Sequence, residues 1–243
     1  MSPILQVENL SKRFGGLQAL VDVSFQVEEG QIVGLIGPNG AGKSTLFGCL
    51  TGFLPPSGGT VIFDGKNITN FPPHQICQLG IARTFQIVQI LPAMTVLKNV
   101  VVGSLLHHTT MGKALAWAKE VLALTELDKV AQQMAEDLTM PEKMRLQIAM
   151  ALATEPRLLM LDEAMAGLTP TEVKQAVGFL QRVRDSGVTL IVVEHVMEAI
   201  MPIADRVIVL NSGRKIAEGP PEQIVNDKAV ISAYLGDRYA EGI

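Results

Sequence analysis

Cysteine is scarce in this chain, and positive charge is not in excess. Cys49 and Cys77 are the only two cysteines, and they lack the spacing of a metal site. Cys49 falls in a predicted helix and reads as a buried free thiol. The formal net charge is −4, so no global positive field draws the chain to nucleic acid, which weakens nucleic-acid readings and leaves room for a local basic patch. Mean hydropathy is high at +0.30, yet no apolar run reaches the ~18 residues that a membrane-spanning helix needs. Met1-Ser2-Pro3-Ile4 shows no basic segment followed by an apolar block, so no signal peptide is expected. Internal repeats and low-complexity tracts are missing too. His107-His108 has no Cys, Asp or third His at ligand spacing and reads as a surface loop. The expectation is a cytoplasmic chain with a greasy surface meant for a partner.

What is present is the material of a packed α/β domain. The 243 residues are 48% hydrophobic and 18% charged, enough for one sizeable core with room for an inserted lobe. Alternating apolar residues over Ile4–Val7 and Val21–Val27 predict half-buried strands. The continuous apolar run Gln31–Ile36 predicts a fully buried one. A helix is expected from Gly42 to Leu50, closed by Gly52 and barred from continuing by Pro55-Pro56. Thr60–Phe63 predicts a further strand before a turn at Asp64-Gly65. From Ile87 to Pro156 the pattern turns mostly helical. Buried strands are then expected at Leu158–Leu161 and Val188–Val193. Between them lies a helix whose Val173, Ala176, Val177, Leu180 and Val183 share one face, opened by a capping box of Thr169 and Glu172 with Pro170 in its first turn. Strand, helix, strand is a βαβ unit, so the main sheet should be largely parallel. Arg206–Leu210 and Lys215–Glu218 should close the fold as a hairpin around Asn211-Ser212-Gly213.

The chemistry is concentrated in Gly37-Pro38-Asn39-Gly40-Ala41-Gly42-Lys43-Ser44, which fits G-x-x-x-x-G-K-[ST]. Successive backbone N–H groups must converge on phosphate oxygens, and side chains at Gly40 or Gly42 would obstruct that approach. The helix that follows turns its positive end to the anion. Lys43 adds a full charge near the β- and γ-phosphates, and the Ser44 hydroxyl is suited to magnesium. Chance produces the pattern in a chain this long on the order of one time in a hundred, and here it also follows a buried strand and opens a helix. Asp162-Glu163 ends a buried strand: the first carboxylate is placed to hold a magnesium shell, the second to polarise an attacking water. His195 ends the next buried strand, where ligands of open α/β sheets gather, and favours a γ-phosphate contact. Bound ATP and Mg2+ follow from this set.

In their order, these motifs resemble those of ATP-binding cassette (ABC) transporter ATPases over nearly the whole chain. Phe14 lies where an aromatic stacks on adenine. Gly37, Asn39, Gly40, Ala41, Gly42, Lys43, Ser44 and Thr45 correspond to the Walker A loop, and Gln86 in Arg83-Thr84-Phe85-Gln86 to the Q-loop glutamine, a magnesium ligand beside Ser44 and Asp162. Asp162 and Glu163 match Walker B and the catalytic glutamate, Ala164–Thr169 the D-loop, and His195 the switch histidine. The wording around the motifs, as in Phe14-Gly15-Gly16-Leu17 and Val193-Glu194-His195, is most similar to ATPases of branched-chain amino-acid importers; related systems carry urea or short amides. The resemblance implies a P-loop, RecA-like core with a mainly parallel sheet, an antiparallel β lobe and an inserted helical subdomain. The expected boundaries are 1–86 and 157–243 for the core and 87–156 for the insert. It also implies two cassettes stacked head to tail around ATP, membrane-spanning permease subunits contacting Gln86 and the stretch Ile87–Val96, and a periplasmic or extracellular solute-binding protein acting indirectly. The chain would then sit peripherally at the cytoplasmic face of the membrane, with no nucleic-acid partner. By composition alone, Ile87–Val96 fits an interface and ordinary core equally well.

The family's signature, usually L-S-G-G-Q, stands here as Leu138-Thr139-Met140-Pro141-Glu142. Thr139, Met140 and Glu142 are the residues expected against a partner's ATP, but both glycines are gone and Pro141 has no N–H to offer. Thr139 and Glu142 form a capping box for a helix whose face carries Met144, Ile148, Ala151 and Leu152, so the helix is kept while its anion site is weakened. Thr169 also replaces the acidic or amide residue usual in the D-loop. The expectation is a heterodimer in which this chain's own Walker motifs form the competent site, a homodimer with a working variant signature being the alternative. Two other function classes compete. A non-transport ABC protein acting on DNA or ribosomes usually has two cassettes or long inserted arms. A P-loop kinase would gain nothing from a water-polarising Glu163.

Overall fold

A computed structural model describes residues 3–165, 167–194 and 197–235. The chain opens with a hairpin, β1 (Leu5–Phe14) and β2 (Leu17–Val27), and enters the core through β3 (Ile32–Ile36) and α1 (Lys43–Leu50). A second hairpin follows, β4 (Gly58–Phe63) and β5 (Lys66–Asn67). Its turn residues Asp64 and Gly65 sit at φ 49° and 73°, the pair of positive values that a tight, strand-matched turn demands. Then come α2 (Pro73–Gln78) and the short strand β6 (Ile81–Arg83). Three helices form the middle of the chain: α3 (Val96–Ser104), α4 (Met111–Leu124) and α5 (Met140–Leu152). The core resumes with β7 (Leu158–Asp162), α6 (Pro170–Asp185), β8 (Thr189–Val193) and α7 (Met197–Ile200). It ends with β9 (Arg206–Asn211), β10 (Arg214–Gly219), α8 (Pro221–Ile224) and α9 (Lys228–Leu235).

The strands form two sheets. One is antiparallel, in the order β2-β1-β4-β5; the other has six strands in the order β10-β9-β3-β8-β7-β6. In the larger sheet every neighbouring pair is parallel except β9 with β10, as the strand–helix–strand pattern predicts. Every residue of β3, β7 and β8 is buried. Side chains alternate between the two faces of this sheet. Ile32, Ile36, Leu159, Leu161, Leu190 and Val192 pack on one side with Val96, Val100, Ile148 and Phe179 of the helices. Val33, Leu35, Leu158, Met160, Ile191 and Val193 pack on the other with α1 and the antiparallel sheet. Cys49 is buried in α1, and burial pushes its thiol up to about 11. Gly52, at φ 75°, follows α1, and a Cβ there would lie 2.3 Å from the Phe71 carbonyl oxygen. Only glycine ends the helix in that space.

The structure corrects the sequence reading in three places. Residues 87–95 carry no helix and none of them is buried, and Ile87 is 76% exposed; the helical segment begins at Val96, with Thr95 accepting from Lys98 N–H as its cap. Of the stretch Ile87–Val96, Val96 is fully buried in the core and the half-buried Ile90 packs against it. The hairpin β9–β10 does not close the fold, because α8 and α9 follow it. Two short elements, α2 and β6, have no counterpart in the apolar periodicity. Six and three residues are too few for a period to register.

Candidate active site

The segment between β3 and α1 is shaped by three glycines, each for its own reason. At Gly37 (φ 153°) a Cβ would lie 2.1 Å from the Leu210 carbonyl oxygen, so this residue is wedged against β9. At Gly42 (φ 104°) it would meet the Ala19 carbonyl oxygen at 2.8 Å. At Gly40 (φ 79°) it would touch nothing within 4 Å among the described residues, so glycine is required there by the backbone conformation rather than by crowding from them. Gly42 caps α1 in the left-handed conformation, and Lys43, Ser44 and Thr45 therefore stand in the first turn, where backbone N–H groups have no helical partner. Asn39, Gly40, Ala41, Gly42, Lys43, Ser44 and Thr45 line a cleft of 560 Å³ together with Phe14 and Glu163. Phe14 is half exposed, with the Lys12 ammonium 5.0 Å from its ring centroid. Lys43 is buried, and its ammonium donates to the carbonyl oxygens of Gly37 (2.7 Å) and Pro38 (3.1 Å). Burial holds its pKa below the usual lysine value, while Glu163 and Asp162 pull the other way.

The carboxylates emerge from the end of β7, one strand beyond β8 from β3. Asp162 is buried, and its Oδ2 accepts from Arg83 Nη2 at 2.8 Å. Its backbone N–H donates to Thr84 Oγ1 at 3.2 Å. Glu163 has φ 50°, a left-handed conformation unusual for a residue with a long side chain and of the kind concentrated at functional sites. Its Oε2 accepts from Gln86 Nε2 at 2.6 Å. Gln86 is not among the residues lining the cleft. It lines an adjoining groove with Phe85, Met140, Met144 and Glu163, so Glu163 is, among the described residues, the one common to both spaces. Met165 N–H donates to the buried Glu194 carboxylate at 2.8 Å, pinning the start of the segment after Glu163. His195, and Ala166 within the D-loop segment, lie outside the described residues.

The variant signature adopts the predicted capping box. Glu142 Oε2 accepts both the Thr139 N–H (2.8 Å) and the Thr139 hydroxyl (2.7 Å), and Pro141 occupies the first turn of α5. Met140 is exposed at the groove. The face of α5 expected to be apolar, Met144, Ile148, Ala151 and Leu152, is buried.

Reading the sequence for motifs missed several contributors. Arg83 and Thr84 hold Asp162, yet they stand next to the Q-loop glutamine without belonging to a phosphate pattern. Gln147 Nε2 donates to the Phe85 carbonyl oxygen at 3.0 Å, tying α5 to the same segment. Leu17, Gln18, Ala19, Ser212 and Gly213 complete the wall of the cleft, brought there by the hairpins β1–β2 and β9–β10. The one available signal was Arg83 itself, a lone charge before a run that is uncharged from Thr84 to Leu97.

This geometry has close counterparts. The family model described as ABC transporter matches residues 20–166, and that described as branched-chain amino acid ATP-binding cassette transporter matches residues 214–240, the segment holding β10, α8 and α9. The High-affinity branched-chain amino acid transport ATP-binding protein BraF of Pseudomonas aeruginosa is 40% identical over 251 residues, 97% of this chain and 98% of that protein. A solved ATP-binding cassette of an ABC transporter in its ADP conformation matches with a TM-score of 0.88 at 31% identity, covering 97% of this chain and 100% of that one. A dimeric cassette in a post-hydrolysis state, bound to ADP and Pi, matches with a TM-score of 0.79 at 25% identity over 89% of this chain and 98% of that one. With its P-loop, its paired carboxylates and this likeness along its length, the chain belongs to the ABC transporter family, as an ATP-binding and ATP-hydrolysing cassette.

Proposed function

We propose that this cassette drives uptake of branched-chain amino acids, or of related amides or urea, as one of two unlike ATPase subunits on the cytoplasmic face of a membrane complex. The substrate class rests on the names of relatives such as BraF. The chemistry rests chiefly on one observation, the Glu163 carboxylate held by Gln86 where the cleft meets the groove. Phe14 offers a ring to the adenine, and the loop from Asn39 to Thr45 offers backbone N–H groups and the Lys43 ammonium to the phosphates. The Ser44 hydroxyl, the Asp162 carboxylate and the Gln86 amide oxygen are hard oxygen donors of the type magnesium takes. With so few protein donors, the ion would keep water and phosphate oxygens in its shell, as is usual for magnesium. Held there, magnesium would neutralise charge on the phosphates. Glu163, oriented by Gln86, would accept the proton of the attacking water, and the role of γ-phosphate contact is assigned to His195 on the family's motif order alone.

Pairing with a different cassette is supported by the capping box. The only hydrogen of the Thr139 hydroxyl is spent on Glu142, and the Glu142 carboxylate sits at the amino end of α5. Negative charge there repels a partner's triphosphate, where an intact signature would attract it. A groove of 440 Å³ bounded by Phe53, Ile76, Cys77, Phe85 and Met150 is suited to an apolar segment of a permease subunit. No helix among the described residues is long and apolar enough to cross a membrane.

Hydrolysis by the purified chain should be weak and should rise at least tenfold when the partner cassette and permease subunits are added. In that complex Glu163→Gln should lower turnover about a hundredfold or more while ATP still binds. Replacing Thr139→Ser, Met140→Gly, Pro141→Gly and Glu142→Gln together should raise the activity of the isolated chain. Fast, cooperative hydrolysis by the unmodified chain alone would refute the asymmetric arrangement.

A further inference from the structure

We infer that Arg83 is a positioning residue for the magnesium site: it fixes the Asp162 carboxylate and ties it mechanically to the apolar groove proposed to receive the permease. This rests on the reading of Asp162 as a magnesium-holding carboxylate. Arg83 ends β6, the edge strand of the large sheet, paired in parallel with Met160 of β7. From there its guanidinium reaches Asp162 Oδ2 at 2.8 Å, with only 13% and 5% of the two side chains exposed. Its Nε donates to the Thr84 carbonyl oxygen at 3.2 Å, so the fork has a fixed orientation. The donation to Asp162 falls on a single oxygen. The Thr84 hydroxyl accepts from Asp162 N–H, and two consecutive residues thus hold both the backbone and the side chain of the carboxylate.

The guanidinium is also caged by aromatic rings. Its central carbon lies 5.0 Å from the Phe85 centroid, 5.7 Å from Phe47 and 5.9 Å from Phe53, distances at which a cation is attracted to a ring face. Phe47 belongs to α1 and is fully buried. Phe53 and Phe85 meet edge to face at 5.6 Å, and both line the apolar groove together with Arg83. Phe85 precedes Gln86, which holds Glu163. An apolar segment entering the groove presses on Phe53 and Phe85 and therefore on the guanidinium between them and Asp162. Groups that orient a metal-holding side chain typically change metal affinity or activity ten- to hundredfold when lost. A buried ion pair with fixed partners transmits a displacement that a solvated one would absorb.

The test uses the full chain and Mn2+ as a paramagnetic stand-in for magnesium, titrated with a non-hydrolysable ATP analogue and read by electron paramagnetic resonance. Nucleotide affinity is measured separately in excess chelator. Arg83→Met should weaken Mn2+ binding about tenfold while metal-free nucleotide affinity stays within about twofold, and Arg83→Lys should recover much of the loss. In the assembled complex, Arg83→Met should raise the magnesium concentration for half-maximal hydrolysis more than it lowers the rate at saturating magnesium. Unchanged or tighter Mn2+ binding in a folded Arg83→Met chain would overturn the inference, tighter binding meaning that Arg83 competes with the metal. If Arg83→Met fails to fold, Phe53→Leu decides: Phe53 is 53% exposed, and its loss should weaken Mn2+ binding a few-fold, no change counting against the link. Asp162→Asn separates the two levels. If it leaves Mn2+ affinity intact, the underlying reading of Asp162 fails; if it abolishes binding while Arg83→Met does nothing, only the role of Arg83 fails.

Discussion

Lys43 shows how a binding residue works against the fold that carries it. Its ammonium is buried, and burial depresses its pKa below the unfolded value of 10.5 more than Asp162 and Glu163 raise it. Between the folded and unfolded values the unfolded chain holds a proton that the folded chain has lost, so stability rises with pH through that window. At neutral pH the fold bears the cost of the charge. Lys43→Met is therefore expected to keep or raise the unfolding temperature of the nucleotide-free chain at pH 7, while losing most of the thermal shift that ATP produces. A charge-assisted contact of roughly 1.5–3 kcal/mol corresponds to a loss of ATP affinity of about ten- to hundredfold. Thermal denaturation with and without ATP checks both, and a clear drop in the melting point of the bare variant would show that the carbonyl contacts of Lys43 outweigh its desolvation. Glu163 is costly in a different way: its left-handed backbone stores on the order of 1–3 kcal/mol, held in place by the strand before it and the Met165–Glu194 bond after it.

At the scale of elements, the phosphate loop is a strand-to-helix junction with two distinct kinds of glycine. Gly37→Ala should cost about 2–3 kcal/mol, because its Cβ meets a β9 carbonyl that cannot move without shifting the sheet. Gly40→Ala, free of contacts within 4 Å among the described residues, should cost only the left-handed conformation, about 1–2 kcal/mol. Denaturant unfolding of the two variants without nucleotide separates these values, and equal losses would contradict the distinction. The helices after the two capping boxes behave alike: Thr169 and Glu172 start α6 as Thr139 and Glu142 start α5. Thr169→Ala should lower stability by about 1 kcal/mol, whereas at Thr139 the same cap also decides what the end of α5 can offer a phosphate.

Across the whole molecule the inserted helices share one continuous core with the main sheet. Val100, Ala118 and Ile148 pack in the same cluster as Leu159, Leu161 and Phe179. Polar ties reinforce it: Glu126 accepts from both Arg145 of α5 and Arg182 of α6 at 2.6 and 2.8 Å, though these half-exposed pairs contribute little individually. Trp117, the chain's single tryptophan, sits in α4, and its indole N–H donates to the Ala153 carbonyl oxygen at 3.1 Å. Its fluorescence therefore reports on the helical segment, while far-ultraviolet circular dichroism reports on the whole. The two should trace coincident denaturant transitions, and an earlier fluorescence transition would show that the helices unfold on their own.

Residue types and short-range spacing by themselves determined the phosphate loop, the long buried strands, α1, α6, both capping boxes and the order of the motifs. Each depends on a local rule: where glycine is needed, which face repeats every 3.6 residues, which oxygen caps a helix end. Only the tertiary structure decided that no residue from Ile87 to Thr95 is fully buried, that α8 and α9 follow the last hairpin, and that Gly37 is wedged against a strand over 170 positions away in the chain. It alone put Arg83 on Asp162 and Gln86 on Glu163, pairs 79 and 77 residues apart. Such contacts are invisible to any local pattern, because they arise from parallel pairing of β6 with β7 across the whole helical insert, and the sequence at one end carries no mark of its partner at the other.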